Sequence, residues 1–285
     1  MAVPAVITST DELRSYLAAI RSQGKRIGFV PTMGALHTGH LSLVEASNAK
    51  CDTTVVSIFV NPTQFGPKED FARYPRDLAG DLAKLADHNV ECVFAPSDEE
   101  MYPKDYQTFV EVTKVSSQWE GAHRPGHFRG VTTVVAKLFN QVMPDIAFFG
   151  QKDYQQTVVL RQMVRDLAMP VQIEVCPTVR EPDGLALSSR NAYLSPEERQ
   201  QALAISAGLK EAAEVLAKGE NDAAVLIEAV RNRCEREPDL RLQYVAIVDP
   251  DTLLSVTKVL TRAVALVAAQ VGTTRLIDNW ILEPA

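Results

Sequence analysis

The run Thr53-Thr54-Val55-Val56-Ser57-Ile58-Phe59-Val60 constrains the fold most. It is rich in β-branched residues and predicts a central strand buried on both faces. Such a strand needs cover on each side, and the flanking sequence supplies it. Ser9-Thr10-Asp11-Glu12 is a capping box opening a helix that ends near Gly24. Arg26 to Val30 predicts a short strand, and Gly39 to Lys50 a helix with Leu41, Leu43 and Val44 facing the core. Asn61-Pro62-Thr63-Gln64-Phe65-Gly66-Pro67 ends the central strand as a loop. Helices are then expected over Asp77–Asn89, Gly130–Met143 and Tyr154–Leu167. Strands are expected over Val90–Ala95, Asp145–Phe149 and Val171–Cys176. This alternation predicts an α/β fold with a doubly wound parallel sheet. Ligands of such sheets bind beyond the carboxyl ends of the strands.

A second region begins near Pro177, giving expected domains of residues 1–176 and 177–285. Glu181-Pro182-Asp183-Gly184 is a turn signal. Ser195-Pro196-Glu197-Glu198 is a capping box with proline at the first helical position, opening a long alanine-rich helix. A further helix over about Asp222–Arg236 and strands over Arg241–Val248 and Lys258–Ala269 complete a smaller α+β domain.

The net charge of −7 argues against nucleic acid as a partner, because phosphate contacts need clustered Lys and Arg. No apolar run approaches the roughly 20 residues of a membrane span. The start, Met1-Ala2-Val3-Pro4-Ala5-Val6, lacks the basic segment and apolar core of a signal peptide. Cys51, Cys92, Cys176 and Cys234 lie far apart with no C-x-x-C pair, which fits reduced thiols in a cytoplasmic protein.

Two histidines stand three residues apart in Pro31-Thr32-Met33-Gly34-Ala35-Leu36-His37-Thr38-Gly39-His40, between strand and helix. That spacing turns both toward one ligand. Gly39 opens a close approach to the backbone, and the helix start offers N–H groups and a positive dipole end to phosphate. Imidazoles there can donate to phosphates as charge moves onto departing pyrophosphate. By themselves the two residues also fit ordinary turn histidines. Gly150-Gln151-Lys152-Asp153 follows an apolar strand. Lys152 can reach phosphates, and Asp153 a ribose hydroxyl or Mg²⁺. A plain βα turn accounts for the segment equally well. Leu187-Ser188-Ser189-Arg190 combines two hydroxyls with a guanidinium, as a phosphate clamp or a surface linker would. Arg124-Pro125-Gly126-His127-Phe128-Arg129-Gly130 is a basic loop able to hold an anion, or a solvated loop at a helix start. Gln64, Gln156 and Asn61 are neutral amides near strand ends, suited to hydroxyl or carboxylate groups.

Read in order, the segments 31–40, Phe59-Val60-Asn61-Pro62-Thr63-Gln64-Phe65, 124–130, Phe149 to Asp153 and Leu187-Ser188-Ser189-Arg190-Asn191 resemble the pantoate–β-alanine ligase family. The likeness runs from about residue 5 to about residue 280. The His-x-Gly-His element is shared with the wider nucleotidyltransferase and class I aminoacyl-tRNA synthetase superfamily. The resemblance implies a Rossmann-like domain, a smaller C-terminal domain closing over ATP, and a homodimer. It implies ATP as substrate with Mg²⁺, and (R)-pantoate and β-alanine as the joined partners. Met33, Gly34, Ala35, Leu36, His37, Thr38, Gly39 and His40 match its first ATP segment, with His40 the expected proton donor. Gly150, Gln151, Lys152, Asp153, Val179, Leu187, Ser188, Ser189 and Arg190 match the others. Gln64 matches the residue that meets both pantoate and β-alanine, and Gln156 a second pantoate contact; Asn61 and Arg124 fall near the substrates or ATP. Leu187 stands where the family often has methionine. Thr38 replaces a common acidic residue and is read as a helix cap.

The implied reaction has two halves: pantoate attacks the α-phosphorus of ATP to give pantoyl-adenylate and pyrophosphate, and β-alanine then displaces AMP. His37, His40, Lys152, Ser188, Ser189 and Arg190 would carry the charge stabilisation. The competing readings are a nucleotidyltransferase that keeps AMP in its product and a nucleotide-sensing module that releases no pyrophosphate. An aminoacyl-tRNA synthetase lacks support, because no basic tRNA-binding region is apparent.

Overall fold

The computed structural model describes residues 4–67 and 69–284. Met1–Val3, part of the stretch read above for a leader, lies outside them. The chain forms two compact units. The first runs through Gly150 and takes in Val159–Pro177; the second holds Gln151–Val158 and the chain from Thr178 onward.

The first unit is built on six strands: β1 (Ala5–Ile7), β2 (Ile27–Thr32), β3 (Thr53–Ile58), β4 (Cys92–Phe94), β5 (Ile146–Gly150) and β6 (Gln172–Cys176). They lie in the order β1-β4-β3-β2-β5-β6, and every pairing is parallel. The chain moves outward from β2 through β3 to β4, then returns to lay β5 against the other side of β2. The winding therefore reverses at β2 and β5, where a doubly wound sheet opens its ligand crevice. Successive residues of β3 face opposite cores. Val55 packs with Leu13 and Leu17 of α1 (Thr10–Arg21), while Val56 packs with Leu43 and Val44 of α2 (Thr38–Lys50). Leu85, at the end of α3 (Leu78–Leu85), joins the second layer.

Two single-turn helices, α4 (Asp98–Met101) and α5 (Glu120–His123), precede α6 (His127–Val142). α6 buries Val131, Val135 and Phe139 in the first layer. It begins at His127, earlier than the expected Gly130, because left-handed Gly126 (φ 83°) turns the chain into the helix there. Helix α7 (Tyr154–Asp166) starts in the second unit and ends in the first.

In the second unit, α8 (Pro196–Ala217) packs on α9 (Ala223–Cys234). Both halves of the α8 capping box form: the Glu198 N–H donates to Ser195 Oγ at 3.1 Å and the Ser195 N–H to Glu198 Oε2 at 2.8 Å. Gly208 lets α8 approach closely; a Cβ there would lie 3.1 Å from the Val230 carbonyl oxygen. The sheet is antiparallel, β7 (Leu240–Val248), β8 (Ala263–Val271) and β9 (Thr274–Leu282). β8 begins at Ala263 rather than Lys258, and Lys258 instead bridges to Asp222. β9 was not expected from the sequence.

Candidate active site

The segment after β2 is shaped by two consecutive left-handed residues, Gly34 (φ 79°) and Ala35 (φ 51°). Such backbone is unfavourable for alanine by about 1–2 kcal/mol, so something must hold it. Asp81 of α3 does so, its carboxylate accepting from the N–H of Ala35 at 2.8 Å and of Leu36 at 2.7 Å. Asp81 is 1% exposed. Lys84, one turn on, donates to the Leu36 carbonyl at 2.7 Å and lies 3.5 Å from the same carboxylate. Thr32 adds a second brace, donating to the Ser57 carbonyl at 2.8 Å and accepting from the Gly34 N–H at 3.1 Å.

This loop delivers His37 as the N-cap of α2. Thr38 is the first residue of the helix and is exposed, so the cap expected of it belongs to His37. The His37 N–H donates to His40 Nδ1 at 3.3 Å. The two rings stack with centroids 4.1 Å apart at 35°.

The segments 61–65 and 124–130 meet within the same unit. Asn61, 1% exposed, caps the 3₁₀ turn Pro62–Gln64. Its Oδ1 accepts from the Tyr102 hydroxyl at 2.8 Å and Thr63 Oγ1 at 2.9 Å. Its Nδ2 donates to Gln64 Oε1 at 3.0 Å and to the Gly130 carbonyl at 3.2 Å. Gln64 Nε2 then points to Met33 Sδ at 2.9 Å, tying this turn to the loop after β2. Gly130 has no room for a side chain; a Cβ would lie 2.7 Å from Gln64 Cα. The Arg124 guanidinium forks onto Glu69 with two bonds of 2.7 Å, and its Nη1 lies 3.1 Å from His127 Nε2. His127 Nδ1 is 2.9 Å from the Gln64 carbonyl oxygen.

In the second unit Gln151–Asp153 form a 3₁₀ turn leading into α7, with Gln156 partly buried in that helix's first turns. Asn279 of β9, 1% exposed, donates to the carbonyls of Gln151 and Lys152 at 2.9 and 2.8 Å. Lys152 Nζ stands 4.0 Å from Asp153. Val179 and Leu187 share a hairpin: the Leu187 N–H donates to the Val179 carbonyl at 3.0 Å, around the turn at left-handed Gly184. Ser188 caps the following 3₁₀ helix, Ser189–Tyr193, accepting from the Arg190 N–H at 3.2 Å. Lys152, Ser188, Asn191 and Asp278 line one small cavity. Arg180 supports its wall through a bidentate pair with Asp278 at 2.6 and 3.0 Å and stacks on Trp280.

A sequence model described as pantoate-beta-alanine ligase matches residues 5–281. The chain belongs to the pantoate–β-alanine ligase family. Pantothenate synthetase 1 of Bradyrhizobium diazoefficiens is 58% identical over 279 residues, covering 98% of each chain. The crystal structure of pantothenate synthetase from Thermus thermophilus superposes with a TM-score of 0.94 at 48% identity, covering 98% of this chain and 100% of that one. The pantoate–β-alanine ligase of Francisella tularensis, solved with βγ-ATP and β-alanine, gives a TM-score of 0.79 at 34% identity, covering 98% and 97%.

For a ligase of this family the proton assignments matter. His40 Nδ1 accepts from a backbone N–H, which leaves the ring proton of neutral His40 on Nε2 as a donor. His127 is kept neutral: burial first, and Arg124 beside it second, push its pKa down to about 4. A carbonyl only accepts and a guanidinium only donates, so Nδ1 of His127 carries the proton and Nε2 accepts from Arg124. Burial works to raise the Glu69 carboxyl, but the Arg124 fork outweighs it and holds the pKa below the ordinary value. Burial pushes the Tyr102 phenol up to about 12, so it stays a donor to Asn61. His127 lies in the basic segment 124–130, but its bond to the Gln64 carbonyl is not visible in the sequence, and Asp81, Glu69 and Asn279 are not among the sequence candidates. The one trace in the sequence is Asp81, a carboxylate set within the apolar spacing Leu78, Leu82, Leu85.

Proposed function

We propose that this enzyme joins (R)-pantoate to β-alanine by way of pantoyl-adenylate, converting ATP to AMP and pyrophosphate. The supporting observation is the His37–His40 pair at the start of α2, with ring centroids 4.1 Å apart and His40 Nδ1 accepting from the His37 N–H. The pantoate carboxylate is ionised at neutral pH and needs no base to attack the α-phosphorus. The barrier falls through alignment and charge stabilisation. His37 and His40 donate to the triphosphate as pyrophosphate departs, with the Thr38 and Gly39 N–H groups at the helix end. Lys152, Ser188, Ser189 and Arg190 add donors and positive charge, and Met33–Leu36, Gly150, Gln151, Val179 and Leu187 shape the nucleotide contact. Gln64 and Gln156 hold pantoate without placing charge beside its nucleophile. Gln64 then meets β-alanine, whose amine gives up its proton to water, attacks the acyl carbon and displaces AMP as the acyl–oxygen bond breaks. Asn61 acts here by fixing the Gln64 amide. Arg124 is committed to Glu69 and His127.

Mg²⁺ would enter with the triphosphate and would need no more than one or two protein carboxylates. Asp153, half exposed, is the motif carboxylate suited to it. The ion would supply charge neutralisation on the phosphates. A homodimer rests on the family resemblance, and sedimentation equilibrium tests it. Four free cysteines support a cytoplasmic setting, and no helix of the described residues is long and apolar enough to cross a membrane.

The deciding experiment is pyrophosphate release from ATP and pantoate, with and without β-alanine. Pyrophosphate is expected without β-alanine, and free AMP only when β-alanine is added. AMP retained in a larger final product would indicate a nucleotidyltransferase, and ATP binding without pyrophosphate a sensing module.

A further inference from the structure

The 3₁₀ turn that carries Gln64 is short and ends in a carbonyl no following helical turn can satisfy. Phe65 closes the turn by donating to Pro62 at 3.3 Å, which leaves the Gln64 carbonyl facing the start of α6. His127, 63 residues on, meets that carbonyl with Nδ1 at 2.9 Å. The imidazole is fixed from behind, because Arg124 Nη1 sits 3.1 Å from Nε2 while Nε and Nη2 are held by Glu69, with Nη2 also reaching the Gln64 carbonyl at a longer 3.5 Å. Phe128 packs beside the ring with centroids 5.0 Å apart. Glu120 Oε2 lies 3.9 Å from Arg124 Nη1. Gly130 brings the α6 backbone against Gln64 Cα, so a small rotation of the turn has nowhere to go. The glutamine amide is itself set by Asn61 and Met33. Its aim therefore depends on the backbone being held as well.

We infer that His127 is a positioning residue for pantoate and β-alanine, acting through its bond to the Gln64 carbonyl and oriented by the Arg124–Glu69 pair. The inference rests on the reading of Gln64 as the contact to those substrates. It gives Arg124 a different task from the substrate contact expected of it: the guanidinium selects the imidazole tautomer that donates to Gln64.

The test is steady-state kinetics on H127L, H127N, Q64A and the H127L/Q64A double variant. Leucine removes both ring contacts, whereas the asparagine amide can keep a donor where Nδ1 stood. H127L is expected to raise the KM for pantoate and β-alanine about tenfold, with the KM for ATP changed less than about twofold. H127N is expected to recover most of that loss. In the Q64A background H127L should add less than about twofold, since coupled residues do not add. H127L that shifts ATP and pantoate alike, or whose effect multiplies in full with Q64A, would show a merely structural role and overturn the inference. Normal kinetics in H127L beside an impaired Q64A would overturn it alone. Unchanged pantoate and β-alanine kinetics in Q64A would remove the substrate reading and the inference with it. Should H127L fail to fold, H127N against H127Q carries the same comparison, since the longer amide cannot place its donor at Nδ1.

Discussion

Asn279 of β9 donates to the backbone carbonyl of Lys152 at 2.8 Å across 127 residues of chain. The same amide donates to the Gln151 carbonyl at 2.9 Å, and its oxygen accepts from Gln151 Nε2 at 3.1 Å. A buried side chain with all these contacts made sets the turn from which Lys152 projects. Asn279→Ala strands two carbonyls and is expected to reduce stability by about 1–3 kcal/mol. It should also lower kcat/KM for ATP by about tenfold or more, because a displaced donor loses alignment with the phosphate. Asn279→Asp should be worse, since a carboxylate oxygen would face two carbonyls. Urea unfolding with ATP-dependent kinetics checks both. Wild-type ATP kinetics in the alanine variant would show that Lys152 does not depend on this clasp.

Asp81 plays the corresponding part for the loop after β2. Its two bonds run to Ala35 and Leu36, the residues immediately before His37. Asp81→Ala leaves both N–H groups without their acceptor, beside a backbone already in left-handed conformation. A stability loss of about 2 kcal/mol or more is expected. Weaker ATP binding should accompany it, read by calorimetric titration. Asp81→Asn should fall between, keeping one acceptor but turning an NH₂ toward a donor. Full ATP affinity in the alanine variant would mean that the loop holds its shape by other contacts.

His40→Ala separates chemistry from folding. The residue gives α2 a capping contact at a long 3.3 Å, so the stability loss should stay under about 1 kcal/mol. Pyrophosphate release should fall by about 100-fold or more, the usual effect of removing a donor from developing charge. Stopped-flow pyrophosphate detection beside thermal unfolding gives the two numbers. Near-normal release would take His40 out of the mechanism.

The parallel sheet was legible because its signal is local. β3 is rich in β-branched residues, and its neighbours Val55 and Val56 enter different cores. The histidine pair was legible because spacing alone places both rings on one helix start. The third strand of the small sheet was not. Asp278 and Asn279 break its apolar pattern, and both are buried because they hold Arg180 and the Lys152 turn. Thr38 looked like a cap because hydroxyls cap helices, but the backbone turns helical one residue earlier and His37 takes the place. The roles of Asp81, Glu69 and His127 are not legible in the sequence for one shared reason. Each acts on backbone or on a guanidinium from another segment, and such partners exist only once the chain has folded.

The same His127 contact makes stability depend on pH in a calculable direction. Burial, and then Arg124, hold the ring at about 4, against an ordinary value of about 6.5 in the unfolded chain. Glu69 and Glu120, the carboxylates nearby, only partly offset that. Between those values the unfolded chain binds a proton that the folded protein refuses. The stability contribution is therefore complete above about pH 6.5 and is lost as the pH falls, with a slope of up to about 1.4 kcal/mol per pH unit. Other groups titrate too, so the reading is a difference. Urea midpoints for the wild type should fall between about pH 7 and about pH 5, and those for His127→Asn, which has no proton to gain, should fall less steeply. Equal slopes would mean that the folded protein accepts the proton, and that Arg124 does not confine the imidazole to its neutral form.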